Sequence, residues 1–212
     1  MTHWFMKESA VLMTLRLSLL ILALACTAPS FALDRNALLD QANILLLPRE
    51  RAIPQLELVD QNGQPFSTES LRGRWHILFF GFTACPDICP TTLSDMRRLF
   101  IQLPAQTREQ VQLILISADP ARDTPQQLKT YLSYYRAGFN GLTGEIEQLQ
   151  RLSKALGLPF IPATDTEGDY SVSHSGNLAL VAPDGTLRGH IRAPLKLEGL
   201  QRMLPEIIEN ER

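Results

Sequence analysis

The sequence lacks internal repeats and low-complexity tracts, and it carries little net charge of either sign. Because nothing divides it further, the part of the 212-residue chain that follows the N-terminal segment is expected to fold as one domain. A formal net charge of −2 gives no indication of a nucleic-acid partner. Hydrophobic residues make up 45% of the chain and charged residues 20%, which is ordinary for a globular protein.

Long apolar runs are also missing. The run Leu17–Ala25 is shorter than the roughly 20 residues that span a bilayer. Arg16 precedes it and Ser30-Phe31-Ala32 follows it, which is the basic, apolar and small-x-small pattern of a secretory export signal. We therefore predict an export signal over residues 1–32 and a mature chain that begins near Leu33.

Export predicts a periplasmic protein, either soluble or attached to the inner membrane by its N-terminal segment. Two alternatives stay open for that segment. It could be retained as a membrane anchor, or Cys26 in "LALAC" could be the lipidated residue of a degenerate lipoprotein signal.

Cysteine is scarce, and export would leave only Cys85 and Cys89, within "GFTACPDICP". Outside the cytosol such a pair tends to be oxidised unless a partner or a metal holds it reduced. A bridge that closes so short a loop would constrain the unfolded chain very little. The pair therefore indicates redox or metal chemistry rather than a structural disulfide.

The hydrophobic pattern predicts an α/β domain over residues 50–212, after a lead-in segment over residues 33–49. A parallel β-α-β half is followed by an antiparallel half, so the central sheet should be mixed and flanked by helices. The predicted elements are a hairpin at Leu56–Phe66, strands at Trp75–Phe82 and Val111–Ser117, a helix after each of these strands, a helix at Glu145–Leu156, a hairpin of Leu178–Val181 with Thr186–Ile191, and a last helix at Leu197–Glu209.

The two cysteines lie where the first central strand ends and its helix begins, the edge at which open α/β sheets bind ligands. A helix N-terminus favours negative charge and should lower the pKa of both thiols. Two thiolates suit soft metal ions, above all Cu(I). Trigonal Cu(I) needs a third donor, and an imidazole in that place would also hold Cu(II).

Four histidines are candidates for the third donor. His3 lies in the leader, His76 begins a buried strand and is expected to be structural, and His190 lies on the polar face of its strand and is expected to be solvated. His174 precedes the strand Leu178–Val181, which in this topology can run beside the first central strand. Spacing alone leaves His174 open between a ligand and a surface loop residue.

Three segments, "GFTACPDICP", "SADPARDTP" and "DYSVSHSG", followed by "PDG", resemble the Sco (SenC) family of copper chaperones over about residues 50–210. The resemblance implies a thioredoxin-like fold, here with an added N-terminal hairpin, and a role in cytochrome c oxidase assembly. Carried over residue by residue, it implies that Cys85, Cys89 and His174 bind copper as Cu(I) or Cu(II).

The resemblance implies delivery of copper to the binuclear copper site of a terminal oxidase, or preparation of that site. The expected partners are the copper-site subunit of the oxidase and a periplasmic thiol reductant or copper donor. An alternative is that Cys85 and Cys89 form a reversible disulfide and reduce the cysteines of a target. Their C-x3-C spacing differs from the C-x2-C of a thioredoxin active site, which favours metal binding.

A peroxidase of the peroxiredoxin type is the third hypothesis, and it fits poorly. The P-x3-T-x2-C pattern of that family requires Pro and Thr where this chain has Leu78 and Phe82 before Cys85. For Cys89 the same two places are held by Phe82 and Pro86.

Acidic residues around the motifs follow the family pattern with one departure. Asp87, Asp119 and Asp123 match it, and local helix capping is the favoured role for Asp123. Ser173 stands where family members often have an aspartate before the histidine. That change leaves the implied ligands intact but removes a carboxylate that could tune the histidine or bind a partner.

Overall fold

Strand β4, Trp75–Gly81, is the centre of the fold, and all seven of its residues are buried. The sequence "WHILFFG" has no polar alternation because helices or loops cover both faces of this strand. The structure is a computed structural model that describes residues 34–163 and 170–210, which belong to one compact unit, Leu33–Arg212. The predicted export signal, Cys26 and the predicted first residue Leu33 lie outside the described residues.

Seven further strands join β4 in the main sheet: β1 Ile44–Ala52, β2 Glu57–Asp60, β3 Pro65–Ser67, β5 Val111–Ser117, β6 Asn140–Thr143, β9 Leu178–Val181 and β10 Thr186–Ile191. Their order across the sheet is β1-β10-β9-β4-β5-β6-β2-β3. Only the β4–β5 and β5–β6 pairs are parallel, and the other neighbours run antiparallel. The predicted mixed sheet and the N-terminal hairpin, β2 with β3, are confirmed.

Two further strands, β7 Phe160–Ile161 and β8 Ser173–His174, form a separate antiparallel pair. The helices that flank the sheet are α1 Arg35–Ala42, α2 Ile88–Gln102, α3 Ala105–Gln110, α4 Pro125–Ser133, α5 Ile146–Leu156 and α6 Leu197–Asn210. Their caps follow the sequence: the Thr124 hydroxyl accepts from the Gln127 N–H at the start of α4, and Gly157 ends α5 in a left-handed conformation.

The segment treated as a lead-in is more regular than the sequence indicated. Residues 35–42 form α1, and strand β1 pairs antiparallel with β10 at the edge of the main sheet. Strand β6, Asn140–Thr143, was also missed. Both strands lack the pattern of a half-buried strand, because all six positions of β1 beyond Leu46 are partly or fully exposed and β6 has only four residues.

The sheet order places two distant segments side by side. Strand β9 pairs antiparallel with β4, and Ile77 lies opposite Leu180. The chain that enters β9 therefore passes the carboxyl end of β4. The predicted placement of Leu178–Val181 beside the first central strand is confirmed. Within residues 34–163 and 170–210, no helix has the length and apolar character needed to cross a membrane.

Candidate metal centre

The cysteine turn connects the carboxyl end of β4 to the first turn of α2. Cys85 donates its backbone N–H to the Phe82 carbonyl at 3.2 Å, and α2 begins at Ile88, so Cys89 lies in its first turn. The backbone N–H of Cys89 in turn points at the Cys85 sulfur, 3.4 Å away. Both cysteines are free thiols, with Cys89 buried and Cys85 partly exposed.

Close packing at the end of β4 requires a glycine at position 81. A Cβ added to Gly81 would lie 2.8 Å from the Cys89 sulfur and 3.0 Å from a Leu115 methyl carbon. Real Cβ atoms essentially never come that close to a neighbour. Gly81 therefore lets the Cys89 thiol lie directly against the end of the strand.

His174 reaches the same place from strand β8. Its Nε2 atom lies 3.3 Å from the Cys89 sulfur and 4.0 Å from the Cys85 sulfur. The ligand atoms of all three residues lie within 4.8 Å of one another, and no other such group of His, Cys, Asp or Glu that could hold a metal ion occurs in the described part of the chain. The loop position expected for His174 is wrong in detail, because β8 pairs with β7 and aligns His174 with Phe160.

The His174 imidazole is held in one orientation and one tautomer. Its Nδ1 lies 3.1 Å from the Ser175 carbonyl oxygen, which can only accept, so Nδ1 carries the proton. Nε2 is left with a free lone pair directed at the two sulfurs, the arrangement that metal-binding histidines need. Edge-on contacts with Phe79 and Phe82, at centroid distances of 5.7 and 5.8 Å, fix the plane of the ring.

Burial dominates the electrostatics of the site. It raises the pKa of the Cys89 thiol, and the hydrogen bond with Cys85 adds to the effect. The expectation that the helix N-terminus would lower this thiol's pKa is therefore wrong for Cys89, since desolvation outweighs the helix dipole. Burial also lowers the pKa of His174, against the opposing effect of its bond to Ser175, and so favours the neutral imidazole.

Asp123 ties the cysteine turn to the sheet. Its buried carboxylate accepts from the Thr83 N–H at 3.1 Å, from the Thr83 hydroxyl at 2.6 Å and from the Ser117 hydroxyl at 2.7 Å. Thr83 lies two residues before Cys85, and Ser117 ends β5. The helix-capping role favoured from the sequence is wrong, because Thr124 caps α4 and Asp123 points the other way, into the core.

A second polar cluster borders the site and was not found from the sequence. Asp119 pairs with Arg122 at 2.5 Å and accepts from the Tyr170 hydroxyl at 2.9 Å. The Arg122 guanidinium stacks on the Tyr170 ring, 3.7 Å from its centroid, and also faces Phe82 at 5.7 Å. "DYSVSHSG" contains Tyr170, but nothing in its spacing pointed to a contact with Asp119, 51 residues earlier.

The structure places the other two histidines of the domain away from the thiols. His76 is 4% exposed, and its Nδ1 donates to the Arg74 carbonyl at 3.1 Å, so the structural role predicted for it is confirmed. His190 was expected to be solvated, and that expectation is wrong. It is half-buried, and its Nε2 donates to the Leu156 carbonyl at 2.7 Å, which joins β10 to the end of α5.

The fold and site together define a thioredoxin-like domain with a dithiol and an imidazole at one edge of its sheet. Residues 47–209 match the SCO1/SenC family, and the chain belongs to that family. A Stutzerimonas stutzeri protein whose name marks it as a candidate copper-binding protein is 87% identical over 202 residues, which cover 95% of this chain and 99% of that protein.

Some of the solved structures that resemble this chain have copper bound. Yeast Sco1 with copper bound is 29% identical with a TM-score of 0.66, and the match covers 75% of this chain and 87% of that one. Bradyrhizobium japonicum ScoI with copper bound is also 29% identical, with a TM-score of 0.64 over 73% of this chain and 98% of that one. The resemblance drawn from the three motifs and the thioredoxin-like fold are thus confirmed.

Proposed function

We propose that this protein binds copper through the Sγ atoms of Cys85 and Cys89 and the Nε2 atom of His174. The convergence of these three atoms within 4.8 Å, from two segments 85 residues apart in sequence, is the observation that carries the proposal. Two thiolates bind Cu(I), and the added imidazole nitrogen also supports Cu(II). The copper-bound relatives support the choice of copper over zinc or another soft ion.

Copper binding must displace protons from the thiols. The pKa of Cys89 is raised by burial, so this thiol is protonated in the metal-free protein at neutral pH. Metal entry releases that proton, and low pH therefore opposes binding. The imidazole needs no such step, since burial keeps His174 neutral and the Ser175 carbonyl holds the proton on Nδ1.

Membership of the Sco family supports a role in which the bound copper is delivered to the binuclear copper site of a terminal oxidase. The site suits transfer, because Cys85 and His174 are partly exposed and so give an incoming ligand access to the metal, whereas Cys89 is buried and holds it from inside. The expected partners are the copper-site subunit of the oxidase and a periplasmic thiol reductant or copper donor. An export signal over residues 1–32 and a periplasmic location are part of the same proposal.

Thiol–disulfide exchange is the second candidate, and one observation favours it. Cys85 is partly exposed while Cys89 is buried beside it, which is the arrangement of an attacking thiol and a resolving thiol. In this role Cys85 and Cys89 would reduce a target disulfide and become oxidised themselves, and His174 would not be required.

Metal analysis of the reduced protein beside a His174→Ala variant separates the two functions. The copper proposal predicts one copper per chain in the wild type, with a thiolate-to-Cu(II) charge-transfer absorption that the variant loses. Oxidation of Cys85 and Cys89 to a disulfide should abolish binding, because both thiolates are consumed. An unchanged Cu(II) spectrum in His174→Ala, with intact thiol-exchange activity, would favour the second candidate.

A further inference from the structure

A groove rich in arginine lies at the end of the sheet opposite the candidate metal centre. It has a volume of about 400 Å³ and is lined by ten residues, four of which are arginines. Arg74 precedes β4, Arg97 lies on α2, Arg108 lies on α3, and Arg136 follows α4. No aspartate or glutamate lines it.

The concentration of arginine is not explained by the composition of the chain. Arginine accounts for 16 of 212 residues, so fewer than one arginine would be expected among ten lining residues. The chain as a whole is slightly acidic, with a formal net charge of −2. Four cations from four separate segments therefore make this groove strongly positive, although the chain as a whole is slightly negative.

The four guanidinium groups have no anionic partner among the described residues. None of them forms an ion pair there, whereas the neighbouring Arg98 pairs with Asp95. Arg74 donates through Nη2 to the Glu109 carbonyl at 2.8 Å, which fixes its position, yet its buried Nε atom has no hydrogen-bond partner. Like charges in one groove repel each other, so an anion bound among the four guanidinium groups would relieve that repulsion.

The groove also has apolar lining residues, which narrow the choice of anion to one with an apolar part. They are Phe100, Ile101, Val111 and Ala137, and Ile101 is 60% exposed. A free inorganic anion would gain nothing from these side chains, whereas an anion joined to an apolar body would also cover Ile101. Among anions, phosphate matches the planar fork of guanidinium donors.

We propose that this arginine groove binds a phosphate group carried on an apolar body, the chemistry of an anionic lipid headgroup. The groove lies beyond the amino ends of β4 and β5, and the cysteine turn lies beyond the carboxyl end of β4. The seven residues of β4 separate the two ends by roughly 20 Å. A lipid bound in the groove thus leaves Cys85 and His174 accessible, and the inference does not depend on the copper proposal.

Calorimetric titration of the full chain at low salt, with three soluble probes, tests this site and separates its two sources of phosphate. The probes are dihexanoyl phosphatidic acid below its micelle concentration, inorganic phosphate, and dihexanoyl phosphatidylcholine, which has no net charge. Monomeric lipids are used so that the apolar N-terminal segment of the chain has no bilayer to enter. We expect binding of phosphatidic acid and no binding of phosphatidylcholine.

Two matched double variants establish whether the groove is responsible. Arg97→Gln with Arg108→Gln removes two exposed charges from the groove and should weaken phosphatidic acid binding by about 30-fold, or about 5-fold per charge. Arg151→Gln with Arg192→Gln removes two exposed charges elsewhere and should change the affinity by less than about 2-fold. Circular dichroism verifies that each variant is folded.

The outcomes distinguish the source and the site. Binding of phosphatidic acid alone supports a site for a lipid headgroup. Equally tight binding of inorganic phosphate would instead support a site for free phosphate, to which the apolar lining residues contribute nothing. The inference is overturned if no phosphate probe binds, if phosphatidylcholine binds as well as phosphatidic acid, or if the two double variants lose affinity equally. Equal losses would show that the net charge of the chain, rather than the groove, attracts the anion.

Discussion

His76 and His174 have nearly the same local chemistry but different surroundings. Each donates from Nδ1 to a backbone carbonyl at 3.1 Å, Arg74 for the first and Ser175 for the second, and burial lowers the pKa of both. His76 lies near the amino end of β4, among core side chains. His174 lies against the carboxyl end of the same strand, where Nε2 meets two sulfur atoms.

The comparison shows that burial and tautomer do not by themselves make a histidine a metal ligand. The same kind of hydrogen bond, from Nδ1 to a backbone carbonyl, orients both rings. The two rings differ in the groups that lie near Nε2. The following predictions test whether this difference assigns a structural role to one ring and a metal-binding role to the other, from the largest expected effect to the smallest.

His174→Ala should lose Cu(II) binding almost completely, with a fall in affinity of more than about 100-fold. Loss of a residue that only hydrogen-bonds to a metal ligand lowers metal affinity by about 10- to 100-fold, and loss of the ligand itself should cost more. The thiolate-to-Cu(II) absorption should disappear with it, while Cu(I) binding weakens but persists on Cys85 and Cys89. Copper titration followed by absorption spectroscopy measures both. His76→Ala and His190→Ala are the matched controls and should keep the wild-type spectrum, and a spectrum altered by His76→Ala instead would reverse the assignment.

Acid should destabilise the protein through His76. Burial, followed by the charge of Arg74, lowers its pKa from 6.5 in the unfolded chain to about 4 in the folded protein. Between these values the unfolded chain binds the proton and the folded protein does not, so the free energy of unfolding falls as pH drops from about 6.5 to about 4. The difference of 2.5 pKa units corresponds to about 3 kcal/mol.

Urea unfolding of the metal-free, reduced protein at pH 7 and at pH 4.5, beside a His76→Gln variant, measures this contribution. Other groups titrate in the same range, but they are common to both proteins, so the difference between the two pH profiles isolates His76. The variant should show the shallower pH dependence. Parallel profiles would mean that His76 is protonated in the folded protein as readily as in the unfolded chain.

Gly81→Ala should disturb the metal end of β4 by about 1–3 kcal/mol in the free energy of unfolding and alter the copper spectrum, because the new methyl group would meet the Cys89 sulfur at 2.8 Å. Gly176→Ala is a matched control near the same site, since its methyl group would also meet a neighbour at 2.8 Å, but that neighbour is the flexible end of Ile88. Thermal unfolding and the Cu(II) spectrum provide the measurements. An effect of equal size in both variants would show that Gly81 has no special relation to the site.

Asp123→Asn should weaken copper binding by about tenfold and shift the charge-transfer band without abolishing it. The amide keeps the size of the carboxylate but offers one acceptor oxygen where Thr83 and Ser117 together supply three donors. Competition with a Cu(I) chelator measures the affinity, and Asp119→Asn serves as a control in the neighbouring cluster. A loss of stability with unchanged copper affinity and spectrum would limit Asp123 to a role in folding.

The sequence by itself determined the parts of this protein that depend on local pattern. The apolar run of β4 and the helices that follow β4 and β5 are short-range signals, and each lies where the pattern predicted it. The paired cysteines at a strand-to-helix junction are local in the same sense, because two residues four apart in one turn stay close in any fold.

The tertiary structure alone decided which distant residues complete the site. His174 and Asp123 reach the cysteine turn because β9 and β5 are the two neighbours of β4, and no periodicity in the sequence encodes that order. The resemblance to a known family pointed to His174, but periodicity and spacing alone did not. Helix capping, the role that adjacent residues predict for Asp123, is wrong, since a short-range hydrogen bond can be anticipated from adjacent residues and a bond across 40 residues cannot.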